Sequence, residues 1–538
     1  MNNSLRYAVT VALAGAAVGS AHATDISTYT SNAANNVNVF VSGSTALDNT
    51  MTNAAIQQAA GQQGLCIPGT ADIYLIGTSQ KLIYCQANTT ANVGSGKFLA
   101  LFKESNVGSA NGVQPLINAA KGGTAGTTFL NPAVATDANC GTAVTTAATG
   151  DFSQYVTHPG CGTGAGNLAA TPTGGFADVE AAMLLTAGGQ AISATDTTNN
   201  LSATPTVDQV WGVAVTKALY YALQSAEGLT CPSTYTSYGV TGAPSGGPAY
   251  VGKDSASCAP SLSRQQVASI ITRQIGNGTA LSITNGVDDT IYICRRDFGS
   301  GTEASFEAYF VGQRCGKPAL SVPGEEGFAV WAAGSSGGVR TCLQAFQNGG
   351  ITLTGFYDTT ASFEPSAGSY AVGFTNTEIT QANMTGAGDA FRLIAVDGVL
   401  PQIANVQDGT WPYFSTGNAY TIKAGKPGAT SPTSLPGLAF AALTKLIGHP
   451  TWTADSNTNY SKNPWGIAGD MSPAGLYAST NAPALPANHT SAVSNPTNAY
   501  TKSSTGAINN CDQPVFDFND LTATTPEAIV LGTSNVNN

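Results

Sequence analysis

Charge is scarce in this chain: Asp, Glu, Lys and Arg make up 9% of its 538 residues. The charges present sum to a formal −11, with a pI near 4.7, so no basic stripe exists to follow a polyanion and nucleic acid is excluded as a partner. Histidine is scarcer still. Beyond residue 23 only His158, His449 and His489 remain, without metal-ligand spacing, and there is no CxxC or CxxCH, so zinc and haem sites are not expected and no cofactor is implied. His449 stands before Pro450 with no carboxylate partner close in sequence, which argues against a serine hydrolase. After the first residues no stretch approaches the roughly 18 uninterrupted apolar residues of a membrane span.

What is present begins with a leader. Arg6 is followed by the apolar run Tyr7 to Val18 and then Ala21-His22-Ala23, the small-x-small pattern of a signal-peptidase site, which puts the mature start at Thr24 in the periplasm or outside the cell. No Cys stands at that site to carry a lipid anchor. Ten cysteines in an exported chain argue for disulfides. The first eight fall in close couples, so sequential pairing is expected: Cys66/Cys85, Cys140/Cys161, Cys231/Cys258 and Cys294/Cys315, with Cys342 left for Cys511. Composition alone leaves other connectivities open.

The length suits two substantial domains, and short β-branched runs alternate with amphipathic helical patterns. Val37 to Val41 reads as a strand that runs through Ser42-Gly43-Ser44-Thr45 into a helix over Ala46 to Ala60. Thr290 to Cys294 reads as another, running through Gly299-Ser300-Gly301-Thr302 into a helix over Glu303 to Val311. Val210 to Ser225 reads as a buried strand continuing into a helix. Leu262 to Ile275 and Pro436 to Ile447 are further helices, the former with a start signal at Ser261/Ser263. Gly122 to Gly175 and Thr230 to Pro260 are long Gly/Thr/Ser/Pro-rich insertions, each stapled by one proposed couple, and the tail from about Lys423 is polar.

A strand feeding a glycine turn and a helix start aims backbone N–H groups outward at the positive end of the helix dipole, which suits an anion. Such a turn also serves simply to reverse the chain. Four of them in order are more specific. Val41-Ser42-Gly43-Ser44-Thr45-Ala46 comes first, then Asn106-Val107-Gly108-Ser109-Ala110-Asn111-Gly112-Val113, then Gly175-Phe176-Ala177-Asp178-Val179, and last Arg295-Arg296-Asp297-Phe298-Gly299-Ser300-Gly301-Thr302. In this order the set resembles the phosphate-binding proteins of ABC importers, members of the type 2 periplasmic-binding-protein superfamily. The likeness spans roughly residues 37 to 420 and takes in Gly368 to Phe374 as a late strand.

The resemblance implies an α/β fold of two lobes joined by a hinge, with long disulfide-stapled insertions. Residues 24–205 would form the first part of lobe one and 206–385 lobe two, with 386–538 returning to lobe one and ending in the tail. It implies a solute-binding protein, not an enzyme, that holds phosphate or a similar small oxyanion between the lobes and offers it to an ABC permease. By the same resemblance Ser44, Thr45, Ser109, Ser300, Gly301 and Thr302 donate to the anion, Arg295 supplies the charge and Asp297 holds that arginine. Asp178, an acceptor-only carboxylate, would favour a protonated oxyanion over sulfate; its other reading is a cap for a helix starting at Val179. Two positions depart from the pattern. Phe298 is inserted and would displace Arg295 or bring in Arg296, and Ala177 stands where a serine donor is usual. The rival functions are a secreted surface or structural protein on the same fold, and a phosphoester hydrolase. Gly334 to Arg340 offers a further anion loop or the start of a helix containing Cys342.

Overall fold

The computed structural model describes residues 26–57, 64–77, 79–106, 108–133, 135, 139–148, 153–161, 167–231, 256–283, 289–312, 329–355, 361–377, 388–448, 469–473, 497–498, 500–501, 510–512 and 514–516. The leader therefore lies outside the described residues, as do His449, His489, Cys315 and most of the polar tail.

Alternating Val37, Val39 and Val41 make β1 (Asn36–Ser42), which leads into α1 (Asp48–Ile56). β2 (Ala71–Ile76) and β3 (Gln80–Gln86) form a hairpin, and β4 (Phe98–Glu104) is followed by a 3-10 turn at Gly108–Gly112 and α2 (Gln114–Ala120). Within the first insertion lie β5 (Val144–Thr146) and β6 (Tyr155–His158), and β7 (Gly174–Ala177) follows it. The 16-residue β8 (Leu201–Thr216) comes next and passes straight into α3 (Lys217–Ala226). α4 (Arg264–Ile271) starts at a capping box between Ser263 and Gln266.

The second strand–turn–helix unit is β9 (Ile291–Arg296) and α5 (Gly301–Val311). Then follow β10 (Val330–Ala333), α6 (Ser336–Asn348), β11 (Tyr370–Asn376) and β12 (Phe391–Leu393). β13 (Phe414–Ile422) and α7 (Leu435–Ile447) complete the frame.

The strand order is β10-β9-β11-β8-β13-β7-β1-β4-β3-β2-β6-β5, with β12 also on β8. β8, at 16 residues, is the longest of these strands, and its two halves pair with different neighbours. Its first half pairs antiparallel with β13, through Leu201–Ile422 to Val210–Phe414, and its second half pairs antiparallel with β11, through Trp211–Asn376 to Val215–Val372. Lobe one is thus a mixed sheet with β1 at its centre, flanked in parallel by β4 and β7, and lobe two is a mixed sheet in which β9 lies parallel to both β10 and β11. Separate cores follow, one around Val39, Met51, Leu99 and Leu443, the other around Val213, Leu219, Phe306 and Phe374. β12 pairs with the second half of β8, and the next strand, β13, pairs with the first half of β8 and with β7.

Disulfides join Cys66 to Cys85, Cys140 to Cys161 and Cys231 to Cys258. The fourth corrects the sequential expectation: Cys294 bonds Cys342, not Cys315, which also removes Cys342 as partner of Cys511. The cause is packing. α6 lies on the face of β9 and β11, so Cys342 sits over Cys294 in one core cluster with Val339 and Leu343. Cys511 is itself disulfide-bonded. No helix among the described residues is long and apolar enough to cross a membrane.

Candidate functional site

The first three motifs converge at the carboxyl ends of β1, β4 and β7, where an open α/β sheet presents its crevice. β1 and β7 lie side by side, and their turns pack backbone against backbone: a Cβ on Gly43 would collide with Gly112 and with the Phe176 carbonyl. Gly43, at φ +85°, thus answers both a close approach and a left-handed turn. Beyond it Ser44 donates its hydroxyl to Asp178 Oδ1 and accepts from the backbone N–H of Leu47 at 3.1 Å. The N–H of Asp178 donates to Ser109 Oγ at 3.0 Å. All three residues are buried.

No helix starts at Val179: the extended Glu180 precedes a 3-10 turn at Ala181–Met183, and the Asp178 carboxylate accepts from the Ser44 hydroxyl instead. Burial raises its pKa, and the Ser44 hydroxyl and the Arg296 charge oppose that rise.

The fourth motif arrives from lobe two. Ser300 caps α5, its Oγ accepting from Glu303 N–H at 3.3 Å, and the N–H of Ala110 donates to the Gly299 carbonyl at 2.9 Å across the lobes. A Cβ on Gly301 would lie 2.5 Å from Ser109 Oγ and 3.0 Å from Asp178 Oδ2, so only glycine lets this helix start come so close. Thr302 is 1% exposed, and its Oγ1, like that of Thr45, is buried with no hydrogen-bond partner. These two hydroxyls, one in the first turn of α5 and one in the turn that leads to α1, are free to donate to an acceptor.

The two arginines diverge because successive strand residues face opposite sides. Arg295 turns into lobe two, where its Nη2 pairs with Glu303 Oε1 at 2.7 Å and Glu307 Oε1 at 2.8 Å. Arg296 turns to the cleft. Its Nε donates to the Ala333 carbonyl at 3.0 Å, its Nη1 to Ser336 Oγ at 3.1 Å and its Nη2 to the Gly334 carbonyl at 3.1 Å, and the same Nη2 lies beside Gly108. The charge of Arg296 acts on Asp178 and on Asp297. Asp297 does not hold Arg295; burial raises its pKa, Arg296 opposes this, and its Oδ1 has no hydrogen-bond partner. The Phe298 ring packs over Gly189, 3.5 Å from where a side chain there would begin, and stays out of the cleft.

Ser44, Ser109, Asp178, Ser300 and Gly301 are therefore brought together, with Thr302 in the first turn of α5 and Thr45 next to Ser44 in the turn before α1. Arg295 is not among them. Beside the cluster the lobes enclose a cleft of about 250 Å³ between Thr45, Asp48 and Lys81 on one side and Ser335, Ser336 and Arg340 on the other. Sequence reasoning had marked the glycine-rich start of α6 but not Lys81 or Asp48, which carry no motif. A larger cavity of about 850 Å³ lies on the far side of lobe one, under Phe440 of α7, away from all these groups. Among the described residues no group of three or more His, Cys, Asp or Glu is placed to hold a metal; His158 sits in the core, stacked on Tyr74 and 3.1 Å from Asp72.

No protein-family model and no curated protein matches the chain. Solved structures do. A "putative phosphate ABC transporter substrate-binding protein with bound phosphate" from Clostridium perfringens matches at a TM-score of 0.37 and 12% identity, over 78% of this chain and 98% of that one. PstS from Borrelia burgdorferi matches at 0.27 and 9%, over 71% and 86%, and an ABC-type phosphate transport receptor from Vibrio cholerae at 0.25 and 14%, over 47% and 69%. At such scores the weight falls on the residues of the cleft.

Proposed function

We propose that this chain is an exported solute-binding protein that holds phosphate or a similar small oxyanion between its lobes and delivers it to an ABC permease. One observation carries the reading: Ser44, Ser109 and Asp178 of lobe one meet Arg296 and the α5 start at Ser300 and Gly301 of lobe two, in a buried cluster that also holds the unpartnered hydroxyl of Thr302. A dehydrated oxyanion needs many short donors at once, and here they come from hydroxyls, a helix N-terminus and a single arginine. In this reading Arg296 is the cation, and Arg295 is structural.

Titration calorimetry on the purified protein tests it. Orthophosphate should bind, and Arg296→Ala should cost about 2 to 5 kcal/mol of affinity because a buried ligand charge loses its partner. Orthophosphate binding that is undiminished in Arg296→Ala would remove the anion site from this cluster.

A further inference from the structure

We infer that the oxyanion site continues into a second anion subsite at the N-terminus of α6, so that the cleft accepts a diphosphate such as inorganic pyrophosphate in preference to orthophosphate. The inference rests on the reading of the first site given above. α6 runs for 13 residues from Ser336, and its cap is complete, Ser335 Oγ accepting from Gly338 N–H at 3.0 Å. The helix leaves the N–H groups of Ser336 and Gly337 without a carbonyl of its own, and both residues line the 250 Å³ cleft.

Four observations extend this beyond a helix end. Arg296 joins the two sites, touching Ser336 Oγ with one nitrogen while its guanidinium lies beside Gly108 and faces Asp178. Lys81 and Arg340 line the cleft from opposite lobes, Lys81 fixed by Thr52 Oγ1 at 2.6 Å and Arg340 by Asn376 Oδ1 at 2.9 Å. Asp48 is the one carboxylate among the residues lining the cleft, and Lys103 answers it at 2.8 Å, so the lining as a whole favours an anion. Thr45 Oγ1, on the wall next to Ser44, is buried with no hydrogen-bond partner.

Size points the same way. At about 30 Å³ per water the cleft has room for roughly eight, more than a second phosphoryl group displaces. In this reading the second phosphoryl group lies in the cleft at the α6 start, beside Lys81, Arg340 and the Ser336 hydroxyl that Arg296 also touches.

The test is calorimetry with orthophosphate and pyrophosphate on the full chain, its Arg340→Gln and Lys81→Met variants, and Arg296→Ala. Pyrophosphate should bind the native protein about tenfold more tightly or better, a difference of about 1.4 kcal/mol. In Arg340→Gln the ratio of the two affinities should fall toward one, and Lys81→Met gives the same readout if the first variant does not fold. Orthophosphate that binds in an Arg296-dependent way while pyrophosphate binds no better would overturn the second subsite and leave the first site standing. A ratio that survives both substitutions would overturn it as well. Binding of neither anion would end both readings.

Discussion

At the scale of single residues the deciding feature is which charges are buried against what. Asp178 is an acceptor held in a dry cluster, and its folded pKa lies above the value in an unfolded chain. A carboxyl raised in this way favours the folded state while protonated, below the unfolded pKa, and that advantage is lost as pH rises through the folded pKa. Asp178→Asn should therefore flatten the change of melting temperature with pH across that window, whereas a pH dependence parallel to the native protein's would show that the charge is fully compensated. The same substitution addresses selectivity. Hydrogen phosphate has a proton to give the carboxylate and sulfate has none, so native protein should prefer phosphate, and the gap should narrow in Asp178→Asn because an amide can donate. Equal discrimination in the two proteins would leave Asp178 without a part in selection. Arg295 is the contrasting case. Its removal takes the guanidinium charge away from the buried carboxylates of Glu303 and Glu307, so Arg295→Ala should cost about 3 to 5 kcal/mol in denaturant unfolding. A loss well under 1 kcal/mol would mean that the two carboxyls protonate at little cost.

At the scale of elements, much was legible because strand and helix periods are local. β1, β9, α5 and α7 lie within a few residues of their expected spans, and Ser263 does start α4. The order of the four glycine turns was readable as well, since each needs particular small residues where backbones close on one another. Which arginine faces the cleft was not, because two adjacent arginines look alike until the strand's facing is known. A signal did exist in Glu303 and Glu307, four apart on an otherwise apolar helix, which require a cation on their own side. The disulfides show the same limit. Cys294 and Cys342 are 48 residues apart and meet only because α6 packs on β9. Closing a loop of that length is worth about 4 kcal/mol, so Cys294→Ser with Cys342→Ser should lower unfolding stability by roughly that amount. Peptide mapping under non-reducing conditions that finds Cys294 joined to another cysteine would refute the pairing.

For the whole molecule the question is how two lobes built around one long strand move. Among the described residues the chain passes from one sheet to the other at Val210–Trp211 and again ahead of Phe414, and an indole lies at each place. Trp411 Nε1 donates to the Trp211 and Tyr413 carbonyls at 3.2 and 3.0 Å, and Trp211 Nε1 donates to Ser415 Oγ at 2.7 Å. Both indoles are buried, which confines bending to the few residues between them. Away from the hinge the lobes touch where Ala110 meets Gly299 and Ser109 meets Gly301, contacts that part if the lobes open. A ligand held from both sides binds only the closed arrangement well, so it must shift the population toward it. Small-angle scattering should therefore show a more compact particle when phosphate is added to the native protein and no change when it is added to Arg296→Ala. If calorimetry records binding while the scattering curves stay superimposable, the paired tryptophans hold the lobes closed throughout, and the anion enters without hinge motion.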